Sequence, residues 1–555
     1  MGTTIDESLE VAEATLAPGL LPEFTPQPEI VAPEPMTQGR VLKLATPIIG
    51  ENLLHTAVGA VDTFMVARLG AAAVAGVGTS FEFVFFIISI LSAIDIGATV
   101  LVSQAIGAGD QHGANQFARQ AIVWGLVLAI PVSIGMYFAA PTIIGLFGTE
   151  PDVAAAAITY LEIIAATAVA LFLSFVCGAV LRGAGDSRTP LAAAVIANIV
   201  NFVVAYTLIF GNFGFPELGV AGSAWGAAVG RGLGAAYMLA AMARGKKAIS
   251  LRGSWGWRPR VSIARQLFRL GVPAAVEQML SSGAFMVLLA VVALIGTPAL
   301  AAQQIAFTAL STAFLPGIAF SITATALVGQ SIGARLPSDA RKAWIISLRW
   351  AIAWLGIGGV LVYIFSEQLM RIFSSDPEVI NSGVNALHAL SFALPFWAVW
   401  FVSSGSLRGS GDTRTPLIVG ASTMWLSVLL AWIGVRWFDA GMGWVWTGFV
   451  LTSAPASILM WWIFRQRITE YESGRREIPA PGPSSVIDGR RADPLPPPVG
   501  NVSSRAERGV ALVIRQPRDA ARKCLDLRGF DDVIERFAQL LAAIPQASQL
   551  SLQLR

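Results

Sequence analysis

The sequence predicts an all-α polytopic membrane protein of twelve transmembrane helices, built as two homologous six-helix lobes. Three observations predict this class. First, 55% of the 555 residues are hydrophobic and only 13% are charged, whereas soluble proteins are about 25% charged. Second, continuous apolar runs such as FVFFIISILSAI and FMVLLAVVALIG recur between residues 44 and 465. Runs of about 20 apolar residues are long enough to span a bilayer as helices, and their continuity, without alternation, argues against a β-barrel. Third, LRGAGDSRTPL at 181–191 returns as LRGSGDTRTPL at 407–417, an offset of 226 residues.

The same offset pairs Pro47 with Pro273, Glu51 with Glu277 and Gly70 with Gly296. It also pairs Gln104-x-Ile106-Gly107-Ala108 with Gln330-x-Ile332-Gly333-Ala334, and Phe147 and Pro151 with Phe373 and Pro377. One register held without a gap over this distance marks duplicated halves.

Residues 1–39 hold seven acids, no Lys or Arg, and many prolines. A secretory signal needs a basic start and an apolar run, so this stretch reads as a disordered acidic tail. The first lobe follows at 40–245, with apolar segments near 44–67, 74–106, 117–147, 153–181, 190–211 and 217–243. A basic linker occupies 246–265. The second lobe occupies 266–467, with segments near 270–293, 300–332, 343–373, 379–407, 416–435 and 442–465. Six spans per half give both halves the same orientation, a parallel repeat about the membrane normal. Residues 468–507 are polar with seven prolines between 479 and 498, a disordered linker. Residues 508–555 form a partly helical tail with Phe530, Val533, Ile534, Phe537, Leu540, Leu541 and Ile544 at helical spacing.

Orientation follows from Lys and Arg. One set of loops carries Arg182, Arg188, the cluster from Arg244 to Arg260, Arg335, Arg341, Lys342, Arg408 and Arg414. The opposite loops, such as GTEPD, are poor in basic residues. The basic set is expected in the cytoplasm, with both termini there and the chain multi-pass in the plasma (inner) membrane.

The first span contains ENLLHTAVGAVD, with three ionisable groups. At 100° per residue, Glu51 and His55 lie about 40° apart and His55 and Asp62 about 20° apart in the other direction, so all three share one stripe. An acid at the bilayer centre costs about 2.5–3.5 kcal/mol on insertion scales. Such a group faces a partner or a polar cavity, and two readings stand: a cation or proton site, or a polar contact that fixes helix packing. The repeat divides the stripe. Glu51 has its twin in Glu277, whereas His55 maps to Ser281 and Asp62 to Leu288. Glu82, Asp95, Glu162 and Asn201 likewise map to Thr308, Ser321, His388 and Ser427, so the intramembrane acids concentrate in the first half.

Candidate ion-coupling residues are therefore Asp62, His55 and Asn201. Glu51, Glu277, Glu82 and Ser281 are candidates for a cavity lining or a second polar site. Asp95 stands next to Gly97 and reads as either one of these functional intramembrane acids or a helix break, and Asn198 as an interhelical contact. In the twin LRGxGDxRTP loops, Arg182, Asp186, Arg188, Arg408, Asp412 and Arg414 are read as gating or structural residues, with Arg and Asp pairing across a tight turn and Pro opening the next helix. No strand precedes them, which excludes a phosphate loop. Trp432, Trp437, Trp444 and Trp446 read as an aromatic belt, and Trp397 and Trp400 as mid-span packing or a cavity lining for organic cations. With two cysteines and three histidines, neither a disulfide framework nor a metal cluster is expected. No convergent nucleophile and base is visible, so the chain is not read as an enzyme.

GAVDTFMVARLG in the first span, VSQAIGAG and VGQSIGAR after the second and eighth, and the twin LRGxGDxRTP loops together resemble the MATE (multidrug and toxic compound extrusion) transporters, most like their DinF-like branch. The resemblance covers about 40–467 and implies a V of two six-helix lobes that alternates between openings. It implies antiport of organic, often cationic compounds against H⁺ or Na⁺, with no cofactor beyond the coupling ion. The family's first-span aspartate aligns with Asp62 and its fifth-span asparagine with Asn201. Many members carry an acid four residues later, where this chain has Ala205. Some carry an acid in the seventh span where this chain has Ser281. Na⁺ needs several oxygen ligands and a proton needs one desolvated carboxylate, so H⁺ is the expected ion.

The expected partners are a small organic substrate and the lipid bilayer, with no nucleic acid, and the chain is expected to act as a monomer. A lipid-precursor or metabolite exporter of a related superfamily is the alternative, followed by a channel or a non-transporting scaffold. Residues 508–544 also resemble the last strand and helix of a STAS-type regulatory domain, as a fragment.

Overall fold

The computed structural model describes residues 35–145, 148–245, 248–252 and 256–478. The expectations for the acidic tail before residue 35, and for the linker and tail from 479 onward, lie outside the described residues, as does the side chain of Glu82. The described chain is helical: α1 (Gln38–Ala67), α2 (Ala71–Gly107), α3 (Gln111–Gly145), α4 (Pro151–Ala166), α5 (Ala168–Gly183), α6 (Arg188–Phe210), α7 (Val220–Arg244), α8 (Val261–Ala293), α9 (Thr297–Gly333), α10 (Pro337–Ile364), α11 (Ser366–Phe373), α12 (Pro377–Gly409), α13 (Arg414–Phe438) and α14 (Met442–Glu472). Among the described residues nine helices are long and apolar enough to cross a membrane, and the pair α4–α5 forms a tenth, bent crossing. The two remaining long helices are more polar, since α1 carries Arg40, Lys43, Glu51, His55 and Asp62, and α7 carries Arg231 among glycines. Together these are the twelve spans.

Local chemistry sets the helix ends. Thr37 Oγ1 accepts from the Arg40 amide at 3.3 Å and caps α1. Proline sits in the first turn of α4, α9, α10 and α12, where its missing N–H costs no bond. Within each lobe the first span lies on the fifth: α1 packs on α6, and α8 on α13. Across the lobes, α2 packs against α8 and α9, and α1 against α9.

The lobes are clasped at the end that bears the basic loops. Gln104 Nε2 donates to the Gly409 carbonyl at 3.1 Å, and its repeat partner Gln330 donates to the Gly183 carbonyl at 3.0 Å. Arg40 adds a bond to Gln330 Oε1 at 3.0 Å. The helices cross so closely here that a Cβ on Gly107 would overlap the Gln330 carbonyl, and one on Gly333 the Gln104 carbonyl. The QxIGA motifs thus exist in two copies because each serves the other's lobe.

Four expectations change. The fourth span is not continuous but bends by 55° between α4 and α5, where Thr167 Oγ1 donates to the Ile163 carbonyl at 2.7 Å. The ninth span stops at Ile364, and α11 follows as a separate short helix. The last span continues past residue 465 into the sequence read as linker, because Tyr471 is buried and Glu472 pairs with Arg341 at 2.6 Å. Trp446 is fully buried against Phe307 and Phe449, not in the belt, whereas Trp432, Trp437 and Trp444 are exposed.

Candidate ion-coupling site

Asp62 lies on α1 facing α6 and is 4% exposed. Asn201 Nδ2 donates to both carboxylate oxygens, at 3.1 and 3.1 Å. Asn198, one turn earlier on α6, donates to the Leu54 carbonyl at 3.0 Å and fixes α1 against α6. On the far side α7 presses onto α6, and a Cβ at Gly230 would overlap the Ala197 carbonyl. Asn201 Oδ1 is buried and, among the described residues, has no hydrogen-bond partner. A buried acceptor left unmet in this corner is costly.

The corner opens into a cavity of about 130 Å³ lined by Glu51, His55, Asp62, Asn198, Asn201 and Arg231, with small residues such as Gly59 and Ala197 leaving the room. Drug-sized ligands fill about 300–1,000 Å³, so this cavity suits an ion with water. The stripe of Glu51, His55 and Asp62 lines one wall. His55 is 63% exposed on its side chain and stands 4.0 Å from Glu51 Oε1.

Glu51 has a second allegiance. Arg182 Nη1 pairs with its Oε1 at 2.9 Å, and Arg182 Nη2 reaches Asp95 at 3.5 Å. The second lobe repeats the core of this arrangement, Arg408 pairing with Glu277 at 2.8 Å, but Ser321 stands where Asp95 does. The first lobe thus sets two acids against one guanidinium, the second one against one. This corrects the reading of Arg182 and Arg408 as loop residues that pair with the Asp of their own turn. Each belongs to the last turn of its helix and points back into its lobe. Glu51 and Glu277 are ion-paired architecture first, and α2 runs unbroken through Asp95, which excludes the helix-break reading. In the second lobe Leu288 is fully buried at the position equivalent to Asp62, and Ser281 is half-buried.

The turn aspartates cap the next helix instead. Asp186 accepts from the Thr189 amide at 3.1 Å and hydroxyl at 2.6 Å. Asp412 accepts from the amides of Arg414 and Thr415 at 3.0 Å each and from the Thr415 hydroxyl at 2.6 Å, and it pairs with Arg467. Arg188 and Arg414 are exposed. Burial pushes the Asp412 carboxyl up, but the Thr415 bonds and the Arg467 charge outweigh it and hold the carboxyl below its usual range. A lowered carboxyl adds stability that is complete above about pH 4, the unfolded value, and is lost as pH falls through the folded one. Asp412→Ala is expected to remove about 0.5–2 kcal/mol of stability at pH 7, with the gap to wild type closing in acid. Thermal unfolding at both pH values checks this, and an unchanged melting point at pH 7 contradicts it.

One residue of the cavity escaped the sequence reading. Arg231 lies mid-span on α7, and the repeat signals it, because Ser457 stands at the equivalent position. His388, by contrast, is satisfied by Ser366 Oγ at 2.9 Å and stacks on Tyr363, and Trp397 packs on Phe314.

Comparison with known proteins adds the following. The family model MatE matches residues 47–207 and again 273–433, two ranges separated by the repeat offset. A probable multidrug resistance protein NorM of Thermotoga maritima is 29% identical over 436 residues, 78% of this chain and 92% of that protein. The multidrug resistance protein PmpM of Pseudomonas aeruginosa is 27% identical over 434 residues, 76% of this chain and 89% of that one. A solved multidrug resistance MATE transporter of the MOP superfamily, in an outward-facing conformation, superposes with a TM-score of 0.74 at 22% identity, covering 78% of this chain and 96% of that one. That likeness shows the shared fold.

Proposed function

The chain belongs to the MatE family of transporters, and we propose that it exports small organic compounds, many of them cationic, in exchange for protons taken up at Asp62. The observation that carries this reading is the setting of Asp62. It is a buried carboxylate whose hydrogen-bond partner is Asn201, in a cavity large enough for an ion and too small for a drug. A carboxylate in that setting changes the charge of its lobe by one unit on binding a proton, and buried charge is costly enough to move helices. On this reading, protonation from outside neutralises Asp62, loosens its grip on Asn201 and lowers the affinity for a cationic substrate. Release of the proton to the other side restores that affinity. His55 and Glu51 continue the polar wall toward the basic loops, and His55 is placed to relay or tune the proton. On this reading the basic loops face the cytoplasm, by the positive-inside rule, and the membrane is the plasma (inner) membrane.

A second reading, Na⁺ as the coupling ion, is favoured by one observation. Asn201 Oδ1 offers an unsatisfied oxygen beside Asp62. Ala205 stands against it, since no second carboxylate completes the ligand set.

The test is efflux of a fluorescent lipophilic cation from proteoliposomes under an imposed pH or Na⁺ gradient. A pH gradient is expected to drive wild type, and Asp62→Asn to lose the gradient-driven component and to bind the dye more weakly, as the protonated wild type does. Full gradient-driven efflux by Asp62→Asn would remove Asp62 from the mechanism.

A further inference from the structure

The geometry points to Arg231 as a resident counter-cation of Asp62 that makes the site take a proton and reject Na⁺. The inference rests on the reading of Asp62 as the coupling carboxylate. Arg231 is set in the middle of α7 and shares with Asp62 the wall of one cavity. It is near enough to act electrostatically on Asp62, His55 and Tyr160. Among the described residues it has no hydrogen bond or ion pair, so its guanidinium is not consumed by a structural partner. Its backbone is anchored, because Gly230 beside it packs directly on α6 at Ala197 and Asn201. At the equivalent position of the second lobe, Ser457 simply donates to the Phe396 carbonyl at 2.8 Å. The charge is therefore private to the lobe that holds Asp62.

A guanidinium inside a membrane is kept only where something balances it. Among the described acids at and near the cavity, Glu51 on α1 and Asp95 on α2 share Arg182 of α5. Of the other groups, His55 on α1 and Tyr160 on α4 carry no negative charge at neutral pH, and α6 offers only Asn198 and Asn201. Among the described residues that line the cavity, the acid outside an ion pair is Asp62. A guanidinium has five N–H donors and takes the same acceptor oxygens that an alkali cation needs as ligands. Na⁺ must gather several of these oxygens at once against a fixed like charge. A proton needs one lone pair of one carboxylate oxygen and leaves the other acceptors to Arg231. Loading that proton also changes the Asp62–Arg231 pair from neutral to singly positive. The cavity then repels a cationic substrate, which couples proton uptake to substrate release.

The experiment uses the full chain in proteoliposomes, a fluorescent lipophilic cation as reporter, and NaCl and pH gradients as the driving probes. Wild type is expected to ignore a Na⁺ gradient. Arg231→Gln is expected to gain Na⁺-driven efflux, and its half-maximal pH for proton-driven efflux to rise by about one unit, since a neighbouring positive charge no longer opposes protonation. Arg231→Lys keeps the charge and is expected to stay proton-selective. Arg231→Ala serves in place of glutamine where the amide disturbs the cavity. Glutamine or alanine variants that bind dye but keep the wild-type pH midpoint and ignore Na⁺ overturn the inference, as does Na⁺-driven efflux by Arg231→Lys. Asp62→Asn separates the two claims. If it loses coupling while Arg231→Gln behaves as wild type, only the role of Arg231 fails; if it keeps full coupling, the underlying reading fails.

Discussion

Arg182→Ala is expected to destabilise the folded chain by about 3–5 kcal/mol, the range for breaking a buried ion pair from one side. Arg182 is the guanidinium between Glu51 and Asp95, at 2.9 and 3.5 Å, and its side chain is 10% exposed. Its removal strands two carboxylates that water reaches poorly, and Glu51 Oε2 already has no hydrogen-bond partner. Arg408→Ala strands only Glu277 and is expected to cost less. Thermal unfolding in detergent orders the three proteins, wild type above Arg408→Ala above Arg182→Ala. Adding Glu51→Gln and Asp95→Asn to Arg182→Ala is expected to recover much of the loss, because the stranded charges disappear. An Arg182→Ala protein as stable as wild type contradicts the triad.

The paired change Gln104→Ala with Gln330→Ala is expected to open the lobes at their clasped end. The two amides cap carbonyls at the ends of helices in the opposite lobe, Gly409 and Gly183. Each buried bond is worth about 1 kcal/mol or more. Losing both shifts an open–closed equilibrium by a factor on the order of ten or more. Arg188 and Arg414, exposed at the starts of α6 and α13 in different lobes, are suitable sites for spin labels. The label-to-label distance distribution is expected to gain a longer component in the double variant. Identical distributions in both proteins contradict the clasp.

The repeat and the spans were legible because lipid imposes continuous apolar runs and duplication preserves register. The stripe of Glu51, His55 and Asp62 was legible from helical geometry, since three polar groups on an apolar helix have one direction to face. What Arg182 does was not legible. Its position at a motif turn suggests a loop contact, while a long side chain in the last helical turn can reach a group 131 residues away in sequence. Arg231 was hidden by its surroundings, the small-residue run GAAVGRGLGAA, where packing of α7 on α6 dominates the pattern. The break at Thr167 was hidden for a related reason, because a threonine that bonds its own helix leaves no trace in hydropathy. Trp446 looks like its belt neighbours in sequence and differs only in which side of α14 faces Phe307 and Phe449.

Coupling between proton uptake at Asp62 and substrate binding is tested most directly by proton release on substrate binding. Purified wild-type protein in weakly buffered detergent is expected to release up to about one proton per chain when a saturating lipophilic cation is added, because linked binding is reciprocal. The release is expected to vanish in Asp62→Asn, measured at dye concentrations raised to saturate its weaker binding. Undiminished release from Asp62→Asn, or no release from wild type at any pH where it binds dye, contradicts the coupling role of Asp62.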